Sequence, residues 1–126
     1  MPNKKRILIV DDNEEITRMF STFLNARNFV TEIVNNGEKA LATTLVFKPD
    51  IILLDIMMPK VNGFDVLDIL KNTANTSSIP VLVLTSLGSK EDRDKAKGLG
   101  AEGYLEKSTV DLETILAKVN ELLKFS

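Results

Sequence analysis

The sequence predicts a single α/β domain built on a doubly wound, five-stranded parallel sheet. Two observations support this prediction. Short apolar runs alternate with helical patterns along the chain, which is typical of successive βα units and a parallel sheet. Some of these runs are almost continuous in Ile, Leu and Val, as expected for strands that are covered on both faces. The chain has 126 residues, a length that suits one domain, and we predict that domain over residues 1–126.

The apolar runs give five predicted strands. They are Arg6–Val10, Phe29–Val34, Ile51–Leu54, Val81–Leu84 and Gly103–Leu105. Five βα units commonly take the strand order 2-1-3-4-5, which places the first and third strands side by side where the order reverses. Sheets of this kind bind ligands beyond the carboxyl ends of the strands at that point.

Apolar positions that recur at helical spacing predict helices between the strands. They are Ile16, Met19, Phe20, Phe23 and Leu24 in the first helix, Phe64, Leu67 and Leu70 in the third, and Leu112, Ile115, Leu116, Val119, Leu122 and Leu123 in the last. The second helix begins near Gly37 and is predicted to turn Ala40, Leu41 and Leu45 inward.

Local signals mark the starts of two of these helices. The third helix follows a turn predicted around Pro59–Gly63. The last helix has Ser108-x-x-Asp111 as its predicted cap, because both side chains can accept hydrogen bonds from backbone amides of a first turn.

The fourth helix differs from the others in its composition. Residues 89–98 read SKEDRDKAKG, and Ala96 is the only apolar residue among them. Such a helix has little to bury, so we expect it to be weakly anchored. It is either a solvated surface helix or a segment that a chemical event can shift.

The composition excludes several kinds of site. The chain has no His and no Cys, which excludes a zinc site and Cys/His or Ser/His/Asp catalysis. A net charge of −2 argues against broad binding to nucleic acid or to anionic membranes. No apolar run is long enough to span a membrane, and the first residues contain too short an apolar run for the core of a signal peptide. The absence of Cys suits the cytoplasm, where we expect the protein to act.

Polar side chains stand at the ends of four predicted strands. They are Asp11 and Asp12 after the first strand, Asp55 after the third, Thr85 after the fourth and Lys107 after the fifth. Parallel strands bring these residues to one edge of the sheet. Three neighbouring carboxylates raise one another's pKa unless a cation neutralises them, and Mg²⁺ prefers oxygen ligands of this kind. A carboxylate in such a site can attack phosphorus and hold an acyl phosphate.

Four segments carry a resemblance to a known family. ILIVDDNEE, DIILLDIMMPKVNGFDVL, VLVLTS and GAEGYLEKS resemble the signatures of the response-regulator receiver domain of two-component signalling, in type, spacing and order. The similarity covers essentially the whole chain. It implies a flavodoxin-like fold with the strand order given above.

The resemblance also implies a role for each strand-end residue. Asp55 is then the phosphoacceptor, while Asp11, Asp12, Asp55 and the backbone carbonyl of Met57 hold Mg²⁺, with Mn²⁺ as an alternative ion. Thr85 is the switch hydroxyl and Lys107 the lysine that pairs with the phosphoryl group. Tyr104 matches the aromatic residue that turns inward when the threonine moves, and Pro59 and Gly63 shape the loop beside the acceptor.

The sequence departs from the family pattern after Lys107. The family usually has a proline there in a cis peptide, whereas this chain has Ser108. A non-proline cis bond costs about 2.5–4 kcal/mol, against about 0.5–1 kcal/mol for proline. We therefore predict a trans bond between Lys107 and Ser108, and the departure bears on the placement of Lys107.

The predicted function is that of a phosphorylation-dependent switch in a two-component or phosphorelay system. The phosphoryl donor is a sensor histidine kinase or a histidine phosphotransfer protein, because the chain itself has no His. The chain is not expected to be a turnover enzyme, although it assists its own phosphorylation and dephosphorylation. A downstream protein is expected to bind the face formed by the fourth helix, fifth strand and fifth helix. No direct binding to nucleic acid or to a membrane is expected.

Three alternatives remain open from the residues alone. A haloacid-dehalogenase-type phosphatase uses similar residues but places a second Asp two residues after its nucleophile, where this chain has Asn13 after Asp11. A flavodoxin binds a phosphate with its first loop, which the acidic DDNEE segment would repel. A receiver that only docks, without phosphorylation, is the third alternative. Mg²⁺-dependent labelling by a small phosphodonor distinguishes the phosphorylation switch from all three alternatives.

Overall fold

The computed structural model describes residues 4–58, 61–86, 88–108 and 110–124. The strands are β1 (Lys5–Val10), β2 (Phe29–Val34), β3 (Ile51–Leu54), β4 (Val81–Thr85) and β5 (Gly103–Glu106). The helices are α1 (Glu14–Asn25), α2 (Ala40–Phe47), α3 (Gly63–Asn72), α4 (Lys90–Gly98) and α5 (Leu112–Lys124). A 3-10 turn over Gly37–Lys39 leads into α2.

The five strands form one parallel sheet in the order β2-β1-β3-β4-β5. This confirms the predicted α/β fold class and strand order. β1 lies between β2 and β3, with Val10 opposite both Val34 and Leu54. β1 and β3 therefore end side by side, and their carboxyl ends open onto the same edge of the sheet.

Helices cover both faces of the sheet, and each face has its own apolar core. Successive residues of β1 alternate between the two cores: Leu8 and Val10 lie in the core under α2, α3 and α4, while Ile7 and Ile9 lie in the core under α1 and α5. All residues of β3 and β4 are buried. Burial on both faces explains why these strands read as continuous apolar runs.

Two apolar positions of the predicted helices are exposed. Met19, a member of the apolar stripe of α1, is 49% exposed, because the buried residues of this helix are Thr17, Phe20 and Leu24 and Met19 lies outside the face that they form. In α2, Leu45 is 40% exposed and its neighbour Thr44 is buried in its place. The hydroxyl of Thr44 donates to the carbonyl of Ala40 at 2.7 Å, which satisfies this buried polar group.

The predicted cap of the last helix is only half right. The amide of Thr114 donates to Asp111 Oδ1 at 2.8 Å, so Asp111 itself caps α5. Ser108 lies further from the helix, and its hydroxyl donates to Glu106 Oε1 at 3.3 Å. Asp111 is therefore the capping residue, because it stands directly before the first turn whereas Ser108 belongs to the preceding turn.

Two further helices, α3 and α4, begin at polar residues whose side chains accept a hydrogen bond from the first turn. Asn62 accepts a hydrogen bond from the amide of Phe64 at 2.8 Å and caps α3, while Pro59 of the predicted turn lies outside the described residues. Ser89 accepts from the amide of Asp92 and caps α4, whose buried side chain is Ala96, as its composition predicted. No helix in the described part of the chain is long and apolar enough to cross a membrane.

Candidate functional site

The backbone brings the strand-end residues to one place. The amide of Asp11 donates to Val34 at the end of β2, at 3.0 Å, and the amide of Asp55 donates to Val10 at the end of β1, at 2.9 Å. Each acid therefore continues the ladder of its strand by one hydrogen bond. Lys107 follows β5 in the same way, its amide donating to the carbonyl of Thr85 at 2.8 Å. The sheet itself fixes where these side chains start.

Three carboxylates converge at this edge. One oxygen from each of Asp11, Asp12 and Asp55 lies within 4.8 Å of the others. Asp11 and Asp55 are buried, and Asp12 is exposed. Converging carboxylate oxygens with one open side suit a hard divalent cation that keeps some of its waters. The acidic cluster therefore fits the binding of Mg²⁺.

Lys107 supplies the positive charge of the pocket. Its ammonium group donates to Asp11 Oδ2 and to Asp55 Oδ2, the latter at 3.2 Å. The lysine side chain is only 13% exposed, so both ion pairs are shielded from solvent. The ammonium lies between two buried acids and reduces their mutual repulsion.

The second oxygen of each buried acid is held by the backbone two residues further on. The amide of Asn13 donates to Asp11 Oδ1 at 3.0 Å, and the amide of Met57 donates to Asp55 Oδ1 at 2.9 Å. This local turn leaves Oδ2 of each acid pointing toward Lys107. Both carboxylates are therefore fixed in orientation before any ligand binds.

Burial raises the pKa of Asp55 above its usual value. The largest cause is desolvation, and the nearby charge of Asp11 acts in the same direction. The hydrogen bond from Met57 and the ammonium of Lys107 oppose the rise. Asp55 is therefore a carboxylate whose charge is only partly compensated within the protein, and an added cation would favour its ionised form.

The loop beyond Asp55 depends on Gly63. A Cβ atom at this position would lie 2.2 Å from the Cα of Ile56 and 2.8 Å from the carbonyl oxygen of Asp55. The amide of Gly63 donates to the carbonyl of Ile56 at 3.2 Å, and Met57 and Asn62 form an isolated antiparallel β-bridge. The start of α3 thus packs against the backbone that carries Asp55, at a distance that only glycine permits.

Thr85 and Tyr104 occupy neighbouring strands beside the pocket. Thr85 is fully buried at the end of β4. Tyr104 on β5 is partly buried, and desolvation, followed by the charge of Asp92, raises the pKa of its phenol. The guanidinium of Arg93 on α4 lies 5.3 Å from the centre of the Tyr104 ring. No pattern in the sequence indicates this contact, because Arg93 belongs to a run of charged residues without apolar periodicity.

The structure brings together the strand-end residues that the sequence singled out. Asp11, Asp12, Asp55 and Lys107 meet in one pocket, and Thr85 ends the strand between β3 and β5. Met57 lies at the edge of this pocket with its side chain half exposed. Among the described residues there is no cis peptide bond, so the bond between Lys107 and Ser108 is trans, as predicted.

Comparison with known proteins gives one consistent family. The sequence profile of the response regulator receiver domain matches residues 7–120. The DNA-binding dual master transcriptional regulator RpaA of Synechocystis sp. is 40% identical over 119 residues, which are 94% of this chain and 49% of RpaA. The transcriptional regulatory protein CpxR of Escherichia coli is 40% identical over 121 residues, which are 96% of this chain and 50% of CpxR. The chain spans about half the length of these relatives.

Solved structures agree with the sequence comparison. The chemotaxis protein CheY4 of Vibrio cholerae superposes with a TM-score of 0.87 at 30% identity, covering 94% of this chain and 98% of CheY4. The BeF3-activated N-terminal receiver domain of RstA from Klebsiella pneumoniae superposes with a TM-score of 0.88 at 27% identity, with the same coverage.

Proposed function

The chain belongs to the response-regulator receiver family, and from this premise we propose that it is a phosphorylation-dependent switch whose phosphoacceptor is Asp55. The observation that carries the proposal is the set of contacts around Asp55. One carboxylate oxygen is fixed by the amide of Met57, and the other faces the ammonium of Lys107 at 3.2 Å. Asp55 also shares the metal-compatible cluster with Asp11 and Asp12.

The proposed donor is a phosphohistidine on a sensor histidine kinase or a histidine phosphotransfer protein. A lone pair of Asp55 attacks phosphorus, the P–N bond to the donor imidazole breaks, and the imidazole nitrogen keeps the bonding electrons. Asp55 then carries an acyl phosphate. Asp11, Asp12, Asp55 and the backbone carbonyl of Met57 would hold Mg²⁺, which when bound neutralises negative charge on the phosphoryl oxygens.

Lys107 and Thr85 act on the phosphoryl group in this proposal. Lys107 is already directed at Asp55 Oδ2, so its ammonium can donate to a phosphoryl oxygen attached there. Thr85 moves its hydroxyl toward the same group, and Tyr104 turns inward behind it. Attack of water on phosphorus reverses the modification, which makes the chain a phosphoacceptor that assists both steps rather than a turnover enzyme.

The proposed output is a change in the surface formed by α4, β5 and α5. A local change in charge at Asp55 biases a two-state element, and a partner protein that prefers one state reads it. The prediction that residues 1–126 bind no nucleic acid stays a prediction, because RpaA, a relative named as DNA-binding, is about twice as long as this chain. The cytoplasmic location and the extent of the receiver domain over 1–126 also stay predictions.

Labelling by a small acyl phosphate donor tests the proposal. Wild-type protein with Mg²⁺ should gain the mass of one phosphoryl group, and Asp55→Asn should gain none. Asp65→Asn is the matched control, since Asp65 is an exposed acid on α3 that is not one of the three clustered carboxylates. Chelation of Mg²⁺ should abolish labelling of both the wild type and the control.

The same experiment separates the remaining alternative. A docking-only receiver would show no labelling of the wild type under any of these conditions, and equal labelling of Asp55→Asn would place the acceptor elsewhere. The family match leaves the phosphatase and flavodoxin alternatives without support.

A further inference from the structure

Helix α4 is held to the rest of the domain by unusually few side chains. Its buried residue is Ala96, and the rest of the helix is charged apart from its final glycine. Two cations on the helix lie over aromatic rings of other elements: Arg93 over Tyr104 of β5 at 5.3 Å, and Lys95 over Phe64 of α3 at 4.4 Å. These ring contacts join the middle of α4 to the domain beside its one apolar anchor.

The carboxyl end of α4 is fixed by hydrogen bonds to neighbouring elements. The amide of Ala101 donates to the carbonyl of Ala96, which closes the end of the helix. The carboxylate of Glu102 then accepts from the ammonium of Lys71 at 2.7 Å and from the amide of Val81 at 2.8 Å. The segment that follows α4 is therefore tied to both α3 and β4.

We propose that Arg93 is a positioning residue that couples the orientation of Tyr104 to the position of the amino-terminal part of α4. This inference rests on the proposed function, since it describes how a change at Asp55 reaches the surface. With Tyr104 in its present orientation, Arg93 has an aromatic ring to lie over. When Tyr104 turns inward, Arg93 loses that ring, and the helix pivots about its fixed carboxyl end.

The second ring contact does not change in the same way. Phe64 is a buried residue of α3 and packs in the core under α2, α3 and α4, so Lys95 keeps its ring when Tyr104 moves. The two contacts therefore divide α4 into a part that follows Tyr104 and a part that does not. A single exposed cation–π contact is weak, so its loss should change the population of the displaced helix about two- to fivefold.

The first test uses Tyr104 as its own reporter. The chain has one tyrosine and no tryptophan, so absorbance of the phenolate follows Tyr104 alone. Asp92, Arg93 and Glu106 are the charged groups that act on it, and of these Arg93 favours the phenolate. Arg93→Gln should raise the pKa of Tyr104 above its wild-type value, and Arg93→Lys should restore part of the difference.

Lys97→Gln is the matched control for the titration. It removes the same charge from an exposed position of the same helix, and no ring contact is found for Lys97 in the described part of the chain. The pKa of Tyr104 should stay close to wild type in this variant. Equal shifts in Arg93→Gln and Lys97→Gln would overturn the assigned contact.

The second test measures amide hydrogen exchange along α4. In the unphosphorylated protein, Arg93→Gln should speed exchange about two- to fivefold in the amino-terminal part of the helix, while residues 99–102 and the Lys97→Gln protein stay at wild-type rates. Beryllofluoride, the activating group named for the RstA receiver, is then added together with Mg²⁺, and it should increase exchange in the wild type and add less in Arg93→Gln. Equal exchange in Arg93→Gln and Lys97→Gln overturns the coupling.

The two proposals fail in different ways. If the wild type does not respond to beryllofluoride and is not labelled at Asp55, the proposed function fails. The titration and the exchange of the untreated proteins need neither treatment, so they decide the Arg93–Tyr104 contact independently. Matching unfolding midpoints of the variants exclude a general loss of structure as the cause.

Discussion

At the scale of single residues, the negative charge of Asp55 is only partly neutralised by the groups of the protein around it. Burial and the charge of Asp11 raise its pKa, while Met57 and Lys107 lower it by less. A carboxyl group whose pKa rises on folding destabilises the folded state at neutral pH, where the group is ionised. The proposed phosphoacceptor is therefore also a residue that weakens the fold when no cation is bound.

Replacing Asp55 by Asn should consequently stabilise the protein in the absence of metal. We expect urea unfolding at neutral pH in the presence of a chelator to give a higher midpoint for Asp55→Asn than for the wild type. The reason is that Asn removes a buried charge while Lys107 keeps its pair with Asp11. A lower midpoint for Asp55→Asn would show that the ion pair with Lys107 outweighs the desolvation of Asp55.

Adding Mg²⁺ should stabilise the wild type more than Asp55→Asn. A ligand that binds only the folded state stabilises it by about 2.7 kcal/mol at one hundred times its dissociation constant. The wild type offers three carboxylates to the ion and Asp55→Asn offers two. The midpoint of the wild type should therefore rise more with Mg²⁺ than that of the variant, as measured by parallel urea titrations. Equal responses would mean that Asp55 is not a ligand.

At the scale of elements, the start of α5 depends on Asp111 rather than Ser108. The hydrogen bonds that Asp111 accepts at Thr114 lower the pKa of its carboxyl group. A pKa lowered on folding contributes stability that is present above the ordinary pKa of 3.8 and is lost as the pH falls through the lowered value. Asp111→Ala should therefore lower the unfolding midpoint at neutral pH, and the deficit should shrink in acid.

Ser108→Ala is the control for that comparison. Its hydroxyl reaches the side chain of Glu106 and not the first turn of α5, so the midpoint should stay near that of the wild type at every pH. Circular dichroism during urea unfolding measures these midpoints. A larger decrease of the midpoint in Ser108→Ala than in Asp111→Ala would contradict the assignment of Asp111 as the cap.

The entry into α3 has a similarly local requirement. Gly63→Ala places a Cβ against the backbone of Ile56 and Asp55, where nothing flexible can move aside. Overpacking of this kind typically costs about 1–3 kcal/mol of unfolding free energy, and here it also displaces the loop that carries the acceptor. Labelling by the small phosphodonor should fall together with stability.

Gly98→Ala provides the opposite case within the same chain. No heavy atom lies within 4 Å of the added Cβ, and Gly98 is the last residue of α4. Alanine is favoured over glycine in a helix by about 0.5–1 kcal/mol, so this variant should be slightly more stable than the wild type. A destabilised Gly98→Ala protein would show that α4 needs glycine for another reason.

The elements also show where sequence reasoning succeeds and where it stops. All five strands were predictable to within one residue at each end. For β3 and β4 the reason is that burial on both faces leaves runs of Ile, Leu and Val, whereas β2 and β5 are less buried and more polar. The inward face of α2 was not, because ALATTLVF is apolar on most sides and its buried side includes the polar residue Thr44. The cap of α5 was ambiguous for a similar reason, since Ser108 and Asp111 are both good caps and only geometry selects one.

At the scale of the whole molecule, the two edges of the sheet have different roles. The acidic cluster lies at the carboxyl ends of the strands. The pair between Lys71 and Glu102 lies at the other edge, where β4 and β5 begin. The lysine side chain is 10% exposed and also donates to the carbonyl of Ile79. This pair should serve stability without taking part in the chemistry.

Lys71→Met tests that separation. Because Glu102 is partly exposed, we expect a loss of about 1–2 kcal/mol in unfolding free energy, below that for a fully buried pair. Labelling at Asp55 should proceed at the wild-type rate. Lys90→Met is the control, since its exposed pair with Asp94 should contribute no more than about 0.5 kcal/mol. Slower labelling of folded Lys71→Met would show that the two edges are coupled.

The site was more predictable than the details that surround it. Strand order alone brings residues 11, 12, 55, 85 and 107 to one edge, because parallel strands share the direction in which they end. The exposure of Asp12 and the contact between Arg93 and Tyr104 depend on side-chain packing. Neither leaves a pattern in the sequence.

The pair between Lys107 and Asp11 joins residues that are 96 positions apart in the chain. During synthesis the acids of β1 and β3 emerge long before the lysine that follows β5, and they remain without their ammonium partner until the last strand is in place. A partly synthesised, cleaved or locally unfolded chain therefore lacks the complete pocket. Under the proposed function, such a chain should not accept a phosphoryl group until β5 and Lys107 are in place.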